Sequence, residues 1–234
     1  MHKKVLIITQ RDPFFIDTFL HEIQEKYTNF LILDLPNFNK GKMWAFKRAF
    51  QLYGLIGTFK LIFYRIIFFI KRDSLKLKVI RCENVFECEK YISLLDKGDI
   101  LLSLSAPSKI PLSKIKDDVL AVNIHCGKLP EYAGMMPIFW QIFDKKNCVT
   151  ITFQILGSDI DSGDILLEKE IELKGTLFET SLFAKKVSAE VFYNEFIDKN
   201  FIKKEGGINN DISVLNKFPE KEDIIKLRRN NKLI

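Results

Sequence analysis

Histidine is scarce in this chain: among 234 residues only His2, His21 and His125 carry an imidazole, so a multi-histidine metal site has no material to form from. His2 is terminal, and His21 falls in a segment predicted to be a surface helix. His125 instead ends Val122-Asn123-Ile124-His125, a strand-like run whose two-residue period puts Asn123 and His125 on one face and Ile124 on the other. An amide and an imidazole projecting together can donate to an oxygen that gains charge, and the imidazole can also move a proton. Alone the signal is weak, because a histidine at a strand end is more often a satisfied structural residue.

The residues after His125 strengthen the signal. The loop from Cys126 to Pro137 combines two prolines, two glycines and apolar residues, the composition of a shaped pocket wall. About 25 residues later, Gly157-Ser158-Asp159-Ile160-Asp161-Ser162-Gly163-Asp164 forms a carboxylate-rich turn. Three Asp in six residues suit a cation loop, yet the spacing lacks the EF-hand pattern and its closing Glu, and a solvated turn accounts for Asp159 and Asp164. Cys126, adjacent to His125, invites a thiol-nucleophile reading, but neighbouring strand residues point to opposite faces.

Positioning these groups requires a sheet. Val5 to Thr9, Phe30 to Leu35, Lys76 to Ile80, Asp99 to Leu104, Val119 to His125, Val149 to Leu156 and Ile165 to Leu173 read as strands. Phe14 to Tyr27, Val85 to Leu95, Pro137 to Phe143 and Leu177 to Asn200 read as helices. The βαβ opening predicts a Rossmann-like α/β domain with a mostly parallel sheet and helices on both faces. In such sheets ligands bind at the carboxyl ends of the strands, where Asn123 and His125 lie. Residues 1–200 are the expected catalytic domain. Residues 201–234, polar and turn-rich apart from a charged helix over Lys221 to Arg229, are expected to be a C-terminal appendage.

The formal charge of +6 is concentrated in two segments, Lys40 to Arg72 and Lys217 to Lys232. The first contains no Asp or Glu and predicts two helices broken near Gly54 or Gly57. The plain reading is helices covering the sheet with their Lys and Arg stems reaching solvent; the alternative is a basic amphipathic surface for a membrane or a lipid-linked substrate. Lys60 and Arg65 interrupt the apolar run Leu55 to Ile70, which argues against a spanning helix of roughly twenty uncharged residues. No RNA-binding signature is present, so nucleic acid is not the expected ligand. Four cysteines without disulfide or metal spacing, and no leader-like start, point to a cytoplasmic protein with reduced thiols.

Taken together, Asn123, His125, Leu129-Pro130, Tyr132, Gly134, Pro137, Trp140, Val149-Thr150, Gly157 and Asp161-Ser162-Gly163 resemble the folate-dependent formyltransferase family, over roughly Asp99 to Glu172. That family includes methionyl-tRNA, glycinamide ribonucleotide and sugar-nucleotide N-formyltransferases. The resemblance implies a catalytic trio of Asn123, His125 and Asp161, with 10-formyltetrahydrofolate as co-substrate and no metal. A neutral amine attacks the formyl carbonyl; Asn123 and His125 would stabilise its oxygen, and Asp161 would hold His125 cationic or take the amine proton. The resemblance further implies cofactor contacts from Ser105, Pro107, Lys109 and Ile110 on one loop and from Gly157, Ser158 and Asp159 on another. The amine substrate would lie against Tyr132, Met136, Pro137 and Trp140; simple packing is an equally good account of Trp140.

Three features choose among the branches. About 60 residues follow Glu172, too few for the tRNA enzyme's C-terminal domain; Thr9-Gln10-Arg11-Asp12-Pro13 replaces the phosphate loop of the glycinamide ribonucleotide enzyme; and no Walker loop or GxGxxG is present. What remains resembles stand-alone sugar N-formyltransferases, whose substrates are nucleotide-linked amino-deoxyhexoses destined for surface polysaccharide (O-antigen). A lipid-linked amino sugar, another small amine, or a non-catalytic folate- or nucleotide-sugar-binding module are the alternatives, and a homodimer is compatible with all of them. Ala133, Cys126 and Cys148 depart from residues common in the family without removing a catalytic group.

Overall fold

The computed structural model describes residues 3–10, 15–36, 42–71, 78–199 and 214–230. Seven strands form one sheet: β1 (Val5–Gln10), β2 (Phe30–Leu35), β3 (Val79–Arg81), β4 (Ile100–Leu104), β5 (Leu120–His125), β6 (Cys148–Ile155) and β7 (Ile165–Glu172). Their order is β3-β2-β1-β4-β5-β6-β7. The first five run parallel, and β6 and β7 are antiparallel to their neighbours. The central strands β1 and β4 are nearly continuous apolar runs because both faces are covered. Val5 and Ile7 pack into one layer and Leu6 and Ile8 into the other.

The thicker layer is built by α1 (Phe15–Gln24) and α5 (Leu177–Val191), with Phe19, Phe192, Phe196 and Phe153 fully buried. Thr176 caps α5, its hydroxyl accepting from the Glu179 N–H. Beyond Val191 the helix widens to a π-helical turn, Phe192–Asp198, so the single helix expected to run to Asn200 changes pitch. The opposite layer is thin. Where one helix was expected over Val85 to Leu95, a 3₁₀ turn (Val85–Cys88) leads into the short α3 (Glu89–Ile92). The Asn84 carboxamide caps the first turn from outside, accepting from Phe86 and Glu87 N–H groups.

The described part of the basic segment is α2 (Lys42–Lys71), broken at Gly54, whose φ of 66° and ψ of −171° a side chain would oppose. By length and composition, Phe46–Ile67 is long and apolar enough to cross a membrane, with mean hydropathy 1.2, and little of it is buried. The C-terminal residues 214–230 are not separate from the domain. Ile224 and Leu227 of α6 (Lys221–Asn230) enter the same core as β1 and α1, because α6 alone cannot bury its apolar stripe.

Candidate active site

Asn123 and His125 sit at the end of β5, and α4 (Pro137–Phe143) follows after the loop. The β6–β7 hairpin delivers Asp161 from the other side. Its turn is tight: a Cβ on Gly163 would lie 1.7 Å from the Ile155 carbonyl oxygen, so only glycine lets the two strands close. Ser162 braces the turn, accepting from the Asp159 N–H at 3.1 Å and donating to the Asp159 carbonyl at 3.0 Å. Asp161 itself adopts φ 56°, a left-handed conformation that Asp tolerates better than most residues.

The carboxylate of Asp161 is the point on which the groups converge. His125 Nδ1 lies 3.3 Å from its Oδ1, and both side chains are 8% exposed. Asn123 Nδ2 donates to the same oxygen at 3.4 Å. The backbone N–H of Gly134 donates to Oδ2 at 2.8 Å, tying the hairpin to the pocket loop. The second ring nitrogen of His125, Nε2, is 2.8 Å from the Tyr132 carbonyl oxygen. A carbonyl can only accept, so Nε2 is the donor in this contact, and Nδ1 faces a carboxylate oxygen.

One member of this cluster was not among the sequence candidates. Gln154, fully buried on β6, stands opposite Asn123 in the β5–β6 register. With its amide oriented to satisfy its neighbours, it accepts from Asn123 Nδ2 at 3.0 Å and donates to the Asp161 and Gly163 carbonyls at 3.0 and 3.2 Å. The signal was available: Thr150, Thr152 and Gln154 alternate along an otherwise apolar strand, marking a polar face. Thr152 and Gln141 are likewise supports, donating to the Gly127 carbonyl at 2.7 Å and the Cys126 carbonyl at 3.1 Å. Cys126 is buried in the core, away from the role of a nucleophile.

The residues expected at a substrate divide. Tyr132 is 2% exposed, its hydroxyl donating to Asp144 at 3.0 Å, so its side chain offers no surface; its carbonyl orients His125 instead. Burial, and then the Asp144 carboxylate, push the phenol well above its ordinary range. Trp140 donates from Nε1 to the Lys217 carbonyl at 3.0 Å and packs edge-on against Phe139 and Phe143, which makes it an anchor for the C-terminal segment. Met136 and Pro137 are half-buried at the start of α4, Met136 with φ 54°. The two loops expected at a cofactor do meet. Lys109 Nζ donates to Asp159 Oδ1 at 2.5 Å across them, holding that carboxyl below its usual range. An open depression of about 340 Å³ lies beside this pair, lined in part by Lys109, Ile110 and Ser158 together with Val85, Phe86 and Pro111. Ser105 turns the other way, accepting from Lys185 Nζ at 3.1 Å; Pro107 and Gly157 are half-buried within the loops. Among the described residues no group of three His, Cys, Asp or Glu is placed to hold a metal ion.

Comparison with known proteins adds an independent line. No family model matches the chain. It is 28% identical over 116 residues to a methionyl-tRNA formyltransferase of Bacillus thuringiensis, a match covering 49% of this chain and 36% of that protein. The matched stretch thus spans about a third of the length of that curated relative. Among solved structures, a phosphoribosylglycinamide formyltransferase from Anaplasma phagocytophilum superposes with TM-score 0.58 at 10% identity, covering 93% of this chain and 96% of the other. An N-formyltransferase from Helicobacter canadensis, in complex with folinic acid and dTDP-3-aminofucose, superposes with TM-score 0.54 at 15% identity, covering 95% and 72%. The chain is thus similar in sequence, over about half its length, to methionyl-tRNA formyltransferases, and similar in fold, over nearly all of it, to formyltransferases of known structure.

Proposed function

We propose that the chain is an N-formyltransferase that moves the formyl group of 10-formyltetrahydrofolate to the amine of an amino sugar, in its finer form a nucleotide-linked amino-deoxyhexose for surface polysaccharide such as O-antigen. The observation that carries the reading is the convergence of Asn123 and His125 on the Asp161 carboxylate at the end of β5, with Gln154 bracing Asn123 and the Asp161 backbone. The folate supplies an activated formyl carbon when bound. Asn123 and the Nε2–H of His125 are the donors for the formyl oxygen, His125 exchanging its bond to the Tyr132 carbonyl for that oxygen as it gains charge. The Asp161 carboxylate orients the imidazole through Nδ1 and is the proposed acceptor for the proton lost by the attacking amine; collapse of the adduct then breaks the bond between the formyl carbon and the folate nitrogen, and tetrahydrofolate leaves with a proton on that nitrogen. Lys109, Ile110, Gly157, Ser158 and Asp159 are the proposed folate contacts; Met136 and Pro137 are the proposed edge of the amine pocket. The neighbour bound to a dTDP-amino sugar and folinic acid supports the pairing of these two small molecules.

The test is formyl transfer measured with a panel of amino-sugar nucleotides, alongside glycinamide ribonucleotide and methionyl-tRNA as competing acceptors. Turnover with an amino sugar, lost in Asp161→Asn and His125→Asn, is expected. Preference for either competing acceptor would replace the substrate assignment, and turnover indifferent to both substitutions would remove the mechanism.

A further inference from the structure

The basic segment leaves a surface that the site does not use. Met43, Phe46, Phe50, Leu55, Ile56, Phe59, Ile62, Phe63 and Ile66 of α2 are 41–75% exposed, the majority of the large exposed apolar side chains described in the protein. At about 100° per residue, Leu55, Phe59, Ile62, Phe63 and Ile66 fall on one face of the helix, with Lys60 on one shoulder and Arg65 on the other. Scattered apolar residues need no explanation, but a contiguous strip over several turns marks a contact.

We propose that the outer face of α2 docks on an anionic lipid surface, lying in the headgroup region with its apolar strip inserted and its cations at the phosphates. Charge complementarity selects this occupant: between positions 40 and 72 the chain carries eight Lys and Arg and no Asp or Glu. A second copy of the chain fits poorly, because a two-fold contact along α2 would set cation against cation with no carboxylate from either helix. A membrane-crossing path fits poorly as well. Leu52, Thr58 and Leu61 are buried against the domain, Thr58 donates to the Gly54 carbonyl at the kink, and Tyr64 shares a hydrogen bond of 2.9 Å with Thr18 on α1. Lying in the interface keeps these contacts; crossing would surrender them. Lys60, on one shoulder of the strip, pairs with Glu179 of α5 at 2.7 Å and so ties the helix to the domain, leaving the phosphates to the other cations of the segment.

The inference stands apart from formyl transfer, and its test reads partitioning. The full chain is sedimented with phosphatidylcholine vesicles with and without phosphatidylserine. Binding to the anionic vesicles that weakens with added salt is expected. Phe59→Ser/Phe63→Ser should reduce it at least about tenfold, because two inserted rings are lost. Lys47→Glu should reduce it roughly fivefold or more, because a cation at the phosphates becomes an anion. Thermal unfolding should be unchanged in both variants, since Phe59, Phe63 and Lys47 are exposed. Absence of binding to anionic vesicles, binding undiminished in the double variant, or a concentration-dependent dimer that the double variant abolishes would each overturn the proposal.

Discussion

Asp161 serves several donors with one carboxylate, and this sharing decides what each substitution does. In Asp161→Asn the amide is nearly isosteric but neutral, so His125 loses the anionic partner that faces Nδ1. A fall in kcat/KM of roughly 10³ or more is expected, since a missing charge costs more than a missing neutral donor at about 10² to 10³. Asn123→Ala removes one donor and should fall within that lower range, read by single-turnover formyl transfer. Gln154→Leu touches no reacting group, yet it strips Asn123 and the turn carbonyls of a buried partner. It should cost about 1–3 kcal/mol in urea unfolding, with a smaller loss in kcat than Asn123→Ala. The thiol of Cys88 belongs to the opposite case, a titratable group kept silent. Burial, and next to it Cys82, push it up to about 12, so native protein at pH 8 should leave Cys88 unmodified by iodoacetamide in a mass-spectrometric map while the half-buried Cys148 reacts.

At the scale of elements, the hairpin between β6 and β7 depends on the absence of a side chain at residue 163. Gly163→Ala sets a methyl group against the Ile155 carbonyl, so the backbone must open. A loss of at least about 1–3 kcal/mol is expected by urea titration, together with a loss of activity as Asp161 moves. Such close approaches explain which parts of the site were legible beforehand. The two-residue period of β5 put Asn123 and His125 on one face, whereas Asp161 entered as a candidate only through the resemblance to formyltransferases. Gln154 escaped because its significance lies in the β5–β6 register, a non-local pairing that no periodicity within one strand reveals. Tyr132 misled for a related reason: its ring is turned inward by Asp144, and only its backbone serves His125. The fold was more legible than the site, since long buried strands and amphipathic helices announce themselves locally. The short α3 and the π-helical end of α5 did not, being set by packing against neighbours rather than by local pattern.

At the scale of the molecule, the C-terminal residues read as an appendage from composition, because polarity and turn residues dominate there. The structure instead buries Leu227 to 1% and Ile224 to 3% in the main core. Leu227→Ala should therefore cost about 2–5 kcal/mol and shift the whole unfolding transition by calorimetry, not a separate minor one. The link between this segment and the site runs through main chain. Asn216 N–H donates to the Ala133 carbonyl at 2.8 Å, Met135 N–H donates to the Asn216 carbonyl at 2.8 Å, and Gly134 between them holds Asp161. Coupling of this kind is reciprocal in free energy. Whatever the docked segment adds to the affinity of a ligand in the pocket, that ligand returns as added protection of residues near Asn216 from proteolysis. Limited digestion would thus report occupancy of the pocket from a peptide bond in the C-terminal segment.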